Sequence, residues 1–576
     1  MAADAIRARD IKKRDGACFQ TGLVFLWPKL IKIGYGPFDR RAFPRYDFLI
    51  IEKGGARMKL TVVCGEESRS LDLLSGGRLS DLLRKAGYSV PMPCGGCGRC
   101  GKCRIRAEGK ISPATAQERL LLTKEDLSSG IRLACETEAL GDASVFLPED
   151  MKLEALSSGI LPEFVPDRGE GCGLAVDIGT TTLAAYLWDL AEGRLLSSGT
   201  APNPQAAFGA DVMTRLGASR DGHAADLAAA VRTAVCTLAD RIGEEAGLSG
   251  ERIRKAVFVG NTVMLCLLTE GDASRLCASP FLPESLFGET VSAASLGLTG
   301  LLRGAEVYLG RCVSAFVGAD ITAAMLASRL DEAKEALLLM DIGTNGEMAL
   351  AKEGRIRVCS TAAGPAFEGA GIYCGTQAVP GAVSGVEFRE GGFSVRTIAG
   401  AAPYGLCGSG LIDAAAAMLS AGILDETGRI DEEQAESYGV LTEAEKVPAV
   451  VLKDKIVLTQ KDLRKYQLAK AAVCAGAETL LHHSGLRAEE LSGILLAGGF
   501  GSFLSVKNAA ATGLLPAGCE KKAKAVGNAA GSGASMMLLS DAERRRAEEI
   551  AVAAETIDLS SDAFFMDRYV EDMLFG

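Results

Sequence analysis

The chain has 576 residues, 48% of them hydrophobic and only 6% aromatic, with 68 glycines and a formal net charge of −11. That length holds three or four domains with large cores, and the acidic balance offers no global basic field to nucleic acid. No stretch approaches the length of a membrane span, and seventeen cysteines are too sparse for a disulfide scaffold, which favours a reducing cytoplasm.

Residues 1–57 are locally basic, richer in aromatics and without clear periodicity. Their apolar run 22–27 stops at Pro28 and lacks a signal-peptide cleavage pattern. They read as a disordered or mis-annotated N-terminal extension, with Met58 as the true start. From Met58 the pattern predicts a strand over 59–64, a second strand, and a helix over about 78–86. Leu79, Leu82, Leu83 and Ala86 form the helix's apolar stripe, and Gly87 closes it. A glycine-rich loop follows, then a strand over 102–107, a helical stretch around 116–126 and a strand over 144–147. This order over 58–147 fits a β-grasp domain. Residues 148–170, with Pro148, Pro162, Pro166, Gly159 and Gly169, read as a linker.

The loop PCGGCGRCGKC holds Cys94, Cys97, Cys100 and Cys103 with almost no apolar neighbours. Small residues let such a loop wrap an inorganic cluster. Cys94, Cys100 and Cys103 with the distant Cys135 give C-x5-C-x2-C…C, one residue off the plant-type [2Fe–2S] spacing. Cys97 is then surplus: a non-ligating thiol, a replacement for Cys94, or part of a modified cluster. The compact array of four would suit [4Fe–4S], but no proline follows the last cysteine and Cys135 would have no role. Cys236, Cys266 and Cys474 lie singly in apolar segments and read as small core residues.

After the linker the chain repeats itself. GLAVDIGTTTLAAYLWDL starts at Gly173 and LLLMDIGTNGEMALAKEG at Leu337, each an apolar strand, an Asp-Ile-Gly-Thr turn and a second strand. A repeat this long implies two similar domains facing each other, 171–336 and 337–576, with largely helical periodicity over 206–248 and 315–330. In the first turn, Gly179 lets a phosphate approach the backbone, Thr180, Thr181 and Thr182 supply donors, and Asp177 can hold Mg²⁺ through water. Asp341, Gly343, Thr344 and Gly346 repeat the device, and Asn345 and Glu347 are candidates to orient an attacking water. In GILLAGGF, an apolar strand ends in Gly498, Gly499 and Phe500, suited to a nucleoside. Gly408-Ser409-Gly410 fits either a phosphate at a helix N-terminus or close helix packing.

With DIGTTT, DIGTNG and LLAGGF in order, the C-terminal part resembles the ATPase superfamily of actin, sugar kinases and heat-shock chaperones. With the cluster domain, and with NPQAAFGADV, FVGNTVM, FVGADI, STAAGPAFEGAGI, GLCGSGLID and LTQKDLRKYQLAKAA, the chain resembles the ATP-dependent reductive activators of corrinoid proteins over about 58–576. The resemblance implies an α/β and α+β multidomain fold: a β-grasp [2Fe–2S] ferredoxin domain, then a bilobal actin-like ATPase of duplicated ribonuclease-H-like lobes. It implies a [2Fe–2S] cluster, ATP and Mg²⁺ as cofactors. The implied partners are the corrinoid protein of a methyltransferase system and a low-potential electron donor, with no nucleic acid and no membrane; a homodimer is a further implication. The implied work is return of an electron to inactive Co(II), uphill for such a cluster and driven by ATP.

Three other readings compete. A small-molecule kinase with a redox-sensing cluster needs a catalytic base aimed into the cleft, and the sequence offers no persuasive candidate. A simple electron carrier would leave Asp177 and Asp341 dispensable. Another metalloprotein client, as for activators of radical dehydratases, comes with a [4Fe–4S] cluster between subunits, which this spacing argues against.

Overall fold

The computed structural model describes residues 58–64, 67–73, 76–85, 90, 101, 103–147, 161–248, 253–498 and 504–575. The extension 1–57, Ala86, Gly87, Cys94, Cys97, Cys100, residues 148–160 of the expected linker, Gly499 and Phe500 lie outside them.

Strand Met58–Cys64 alternates, burying Leu60 and Val62 on one face. It pairs antiparallel with Glu67–Leu73 and parallel with Glu138–Leu147. Strands Arg104–Ile111 and Ile131–Leu133 continue the sheet, and helix Leu79–Lys85 buries Leu79, Leu82 and Leu83 in the same core. A mixed sheet clasping one helix is the expected β-grasp. The helical stretch foreseen over 116–126 is two helices, Ala116–Leu121 and Lys124–Ser128. The break has a local cause: Thr123 and Asp126 form a reciprocal capping box that starts a second helix where the first would continue.

The rest of the chain carries two six-stranded sheets built on one plan. In the first, Cys172–Ile178 pairs antiparallel with Thr182–Asp189 and parallel with Ile253–Gly260. Arg194–Pro202 and Glu306–Leu309 extend its two sides. In the second, Leu337–Ile342 stands between antiparallel Gly346–Lys352 and parallel Gly493–Ala497, extended by Arg355–Thr361 and Ala523–Gly527. Cys172–Ile178 is buried along its length apart from Asp177, as a strand covered on both faces must be.

Two helices tie the halves together. Ala529–Leu539 follows the second sheet's strand Ala523–Gly527 yet packs on Cys172–Ile178 of the first. It meets Ala319–Ala327, which in turn reaches Gly346–Lys352 of the second sheet. Only small residues permit this crossing: a Cβ on Gly533 would lie 1.9 Å from the Ala323 carbonyl oxygen, and one on Gly531 would lie 2.5 Å from the Tyr186 ring. The final residues of the expected linker are docked, not loose: Asp167 N–H donates to the Leu539 carbonyl, and its carboxylate accepts from Asp541 N–H. Gly408-Ser409-Gly410 serves close packing, since a Cβ on Gly410 would lie 2.0 Å from the Val383 carbonyl oxygen. Among the described residues no helix is long and apolar enough to cross a membrane.

Candidate functional site

The two Asp-Ile-Gly-Thr hairpins meet between the lobes. In the first, Gly179 N–H donates to the Thr182 carbonyl, and a Cβ on Gly179 would sit 2.6 Å from that oxygen. Asn203 holds the turn from behind, its N–H donating to the Thr181 carbonyl and its Nδ2 to the Gly179 carbonyl. In the second, Gly343 N–H donates to the Asn345 carbonyl, and Gly364 N–H to the Thr344 carbonyl. One residue joins the two tips: Glu368 accepts from Thr181 Oγ1 with one oxygen, and from Thr344 N–H (3.1 Å) and Thr344 Oγ1 (2.8 Å) with the other.

Beneath the tips four carboxylates share the cleft floor: Asp177, Asp341, Asp320 and Glu347. Asp341 and Glu347 are directly opposed in the antiparallel pair, so their side chains share a face. Glu347 is buried. Its Oε1 accepts from Asn261 Nδ2, and Asn261 also caps helix Thr262–Thr269. Asp320, in the first turn of Ala319–Ala327, accepts from Ile321 N–H. Asp177 accepts from Asn528 Nδ2 at 3.0 Å. Gly498 has φ +81° and ends its strand against Asp341; a Cβ there would lie 2.4 Å from Asp341 Oδ1.

Desolvation at the cleft floor pushes Asp177 up to about 7, with the Asp341 charge adding to it, and Asp341 up to about 6. Desolvation and then the charges of Asp177 and Asp341 raise Asp320; desolvation, Asp320 and Asp341 raise Glu347. Among the described residues no neighbouring cation lowers Asp177 or Asp341. Oxygen ligands gathered without a counter-charge fit a hard divalent cation, which would favour the ionised forms.

In the β-grasp domain Cys103 Sγ and Cys135 Sγ lie 3.2 Å apart and both residues are 1% exposed. That is beyond the ~2.05 Å of a disulfide, and two adjacent soft sulfur donors fit one iron–sulfur centre. The segment around Cys135 is held by buried Glu118, which accepts from Arg132 Nε (2.9 Å) and Nη2 (2.7 Å), Leu133 N–H (2.9 Å), Thr137 Oγ1 (3.0 Å) and Thr115 N–H (2.9 Å).

The structure therefore brings together Asp177, Asp341, Glu347, Gly498 and the hairpin residues Gly179–Thr182 and Gly343–Gly346, and separately Cys103 with Cys135. Sequence reasoning missed Asn203, Asn261, Asp320, Glu368 and Asn528 as individual residues. The first four lie inside segments singled out only as whole matches. An available signal was an uncharged amide directly after an apolar strand, as Asn261 follows Ile253–Gly260 and Asn528 follows Ala523–Gly527.

Family models match the chain in three consecutive pieces. Residues 63–140 match a 2Fe–2S iron–sulfur cluster binding domain, 172–333 the RACo middle region and 335–576 the C-terminal ASKHA domain of RACo. The corrinoid activation enzyme RamQ of Eubacterium limosum is 32% identical over 454 residues, which span 75% of each chain. This chain belongs to the family of reductive activators of corrinoid proteins. A second relative in that family, the [Co(II) methylated amine-specific corrinoid protein] reductase of Methanosarcina barkeri, is 25% identical over 337 residues, covering 53% of this chain and 59% of the relative. Among solved structures, a reductive activator for a corrinoid, iron–sulfur protein superposes with a TM-score of 0.65 at 29% identity, covering 90% of this chain and 98% of the other. The multidomain α/β architecture of a family activator, ferredoxin-type domain first and ASKHA domain last, is the one built above from strands and helices.

Proposed function

We propose that this protein is an ATP-dependent reductive activator that passes a low-potential electron from a [2Fe–2S] centre to an inactive Co(II) corrinoid protein, restoring Co(I) for methyl transfer. The observation that carries the reading is the floor of four carboxylates under two facing phosphate-type hairpins, in a chain whose other domain buries Cys103 beside Cys135. Cys94, Cys100, Cys103 and Cys135 would hold the iron–sulfur centre, which supplies one-electron chemistry when bound.

The chain's own residues do the rest. Thr180, Thr181, Thr182 and Thr344, through their hydroxyls and the Thr344 backbone N–H, would donate to the β- and γ-phosphate oxygens of ATP, while the Gly179 and Gly343 N–H groups close the two turns. Asp177 and Asp341 would hold Mg²⁺ and so lose their excess proton affinity. Asn261 orients Glu347 beside them, and Asn528 orients Asp177. Gly498, which admits Asp341 so closely, would set the nucleoside end of the cleft against the metal end. The crossing helices carry any change in the cleft to both lobes, because each packs on the other's sheet. The electron comes from a low-potential donor, and the cytoplasm is the compartment in which such thiols stay reduced.

The test is anaerobic: the reduced protein is mixed with Co(II) corrinoid proteins with and without MgATP, and the Co(I) absorption band is followed. Co(I) that forms only with MgATP is the expected result. Formation independent of MgATP, or none with any corrinoid protein tested, would overturn the reading.

A further inference from the structure

We propose that Glu368 is the residue by which the cleft distinguishes ATP from ADP: its carboxylate occupies the γ-phosphate seat and only a γ-phosphate displaces it. The inference rests on the ATP-site reading above and adds a residue and a competition to it.

Glu368 ends a short 3₁₀ turn, Pro365–Glu368, fixed on both sides by glycines in left-handed backbone, Gly364 (φ +78°) and Gly369 (φ +74°). Gly369 admits no side chain, because a Cβ would lie 2.2 Å from the Thr376 carbonyl oxygen. Gly364 N–H donates to the Thr344 carbonyl, so the turn is tied to the second hairpin. The carboxylate is thereby delivered to the tips, where it accepts from Thr181 of the first lobe and twice from Thr344 of the second. An acceptor-only group bridging hydroxyl and amide donors of two facing hairpins has the hydrogen-bonding character of a phosphate oxygen pair. Glu368 is distinct from the four carboxylates of the floor, which it does not touch by any hydrogen bond among the described residues.

A buried cation feels the Glu368 charge. Arg215 on helix Val212–Ala218 is fully buried; its Nε donates to the Gly209 carbonyl and its Nη1 to Met264 Sδ, and its Nη2 has no hydrogen-bond partner among the described residues. An unsatisfied guanidinium N–H in the interior is costly. Burial draws the Arg215 pKa down to about 10, and the Glu368 and Asp211 charges oppose that shift. ADP, lacking the third phosphate, leaves the Thr181–Glu368–Thr344 bridge closed. ATP takes its donors and frees the carboxylate, so the bridge between the lobes reports which nucleotide is bound.

The experiment is nucleotide binding to the full-length protein by calorimetry, using the Mg²⁺ complexes of ADP and of a non-hydrolysable ATP analogue. In Glu368→Ala the analogue should bind about tenfold tighter or more, the worth of one charge-assisted hydrogen bond no longer to be broken, while ADP affinity stays within about twofold. Glu368→Gln, which keeps the shape and removes the charge, should shift the same ratio by less. Equal change for both nucleotides, or no change with hydrolysis alone impaired, would overturn the proposal and leave the ATP-site reading standing. Failure of the unsubstituted protein to bind either nucleotide would overturn both. A far-UV spectrum and melting curve matching the parent protein exclude misfolding of the variants.

Discussion

Asn528 Nδ2 donates to Asp177 Oδ2 across 3.0 Å, although 351 residues separate the two in the chain. The other end of the same amide is also fixed, since Asn528 Oδ1 accepts from Gly531 N–H and caps helix Ala529–Leu539. One side chain therefore aims a cleft carboxylate and starts the helix that crosses between lobes. Asn528→Asp keeps a good capping oxygen but replaces the donor with a charge beside Asp177. It should fold as well as the parent protein, and MgATP binding should need a more alkaline pH, because a neighbouring carboxylate raises Asp177 further above about 7. Calorimetric affinities at two pH values measure this, and an unchanged ratio between them would contradict it. Asn528→Ala should cost about 1 kcal/mol for the lost cap.

The floor carboxylates contribute most to the stability of the metal-free protein in mild acid. Asp177 and Asp341 titrate near 7 and 6 in the fold against an ordinary value of 3.8. Between those values the folded state binds more protons than the unfolded chain, so the contribution is complete below about 4 and is lost as pH rises through 6 to 7. Melting curves in chelator across pH 5–8 should show this fall, Mg²⁺ should flatten it, and Asp341→Asn should remove part of the slope. A slope identical in Asp341→Asn and the parent protein would be the contrary result.

Much of this architecture was legible because the signals were local. The alternation around Leu60 and Val62 and the stripe Leu79, Leu82 and Leu83 each act within one element. The repeated DIGT turn announces two like lobes, and five strands of each sheet follow one order, the sixth lying on opposite edges. What the sequence hid is what two distant segments do together. Nothing near Asn528 points to Asp177, and the helix Ala529–Leu539 reads as part of the second lobe until its packing on the first sheet is seen. Glu368 looks like one acidic residue in a glycine-rich turn; only the facing hairpins give it meaning. Glu347 is legible as a candidate to orient water, but only strand register puts it opposite Asp341 on the cleft floor.

The choice of cluster ligands separates Cys97 from its neighbours. Cys97→Ser should retain the iron content and the [2Fe–2S] signal in electron paramagnetic resonance of the reduced protein. Cys135→Ser should lose both, because Cys135 stands beside Cys103 in a buried pair. The reverse pattern would move the ligand role to Cys97.

Glu118 should control iron retention without touching a sulfur. Burial alone would raise its pKa, but hydrogen bonds from Arg132, Leu133, Thr115 and Thr137 outweigh that and hold it below the ordinary 4.5. Its partner Arg132 is 7% exposed at the side chain, so Glu118→Ala leaves a buried guanidinium without its charge partner, at a cost of about 3–5 kcal/mol. Leu133 and Thr137, which Glu118 grips, stand two residues before and two after Cys135. Loss of the carboxylate therefore loosens the loop that presents the Cys135 sulfur. Because the folded pKa is lowered, the contribution is present above about 4.5 and is lost as pH falls through the folded value. Glu118→Gln, which keeps the shape and several acceptor contacts, should be intermediate. Iron content followed over hours, beside thermal unfolding of the same samples, gives the comparison. Glu118→Ala holding its iron as long as the parent protein would show that Cys135 is positioned by the strand pairing alone.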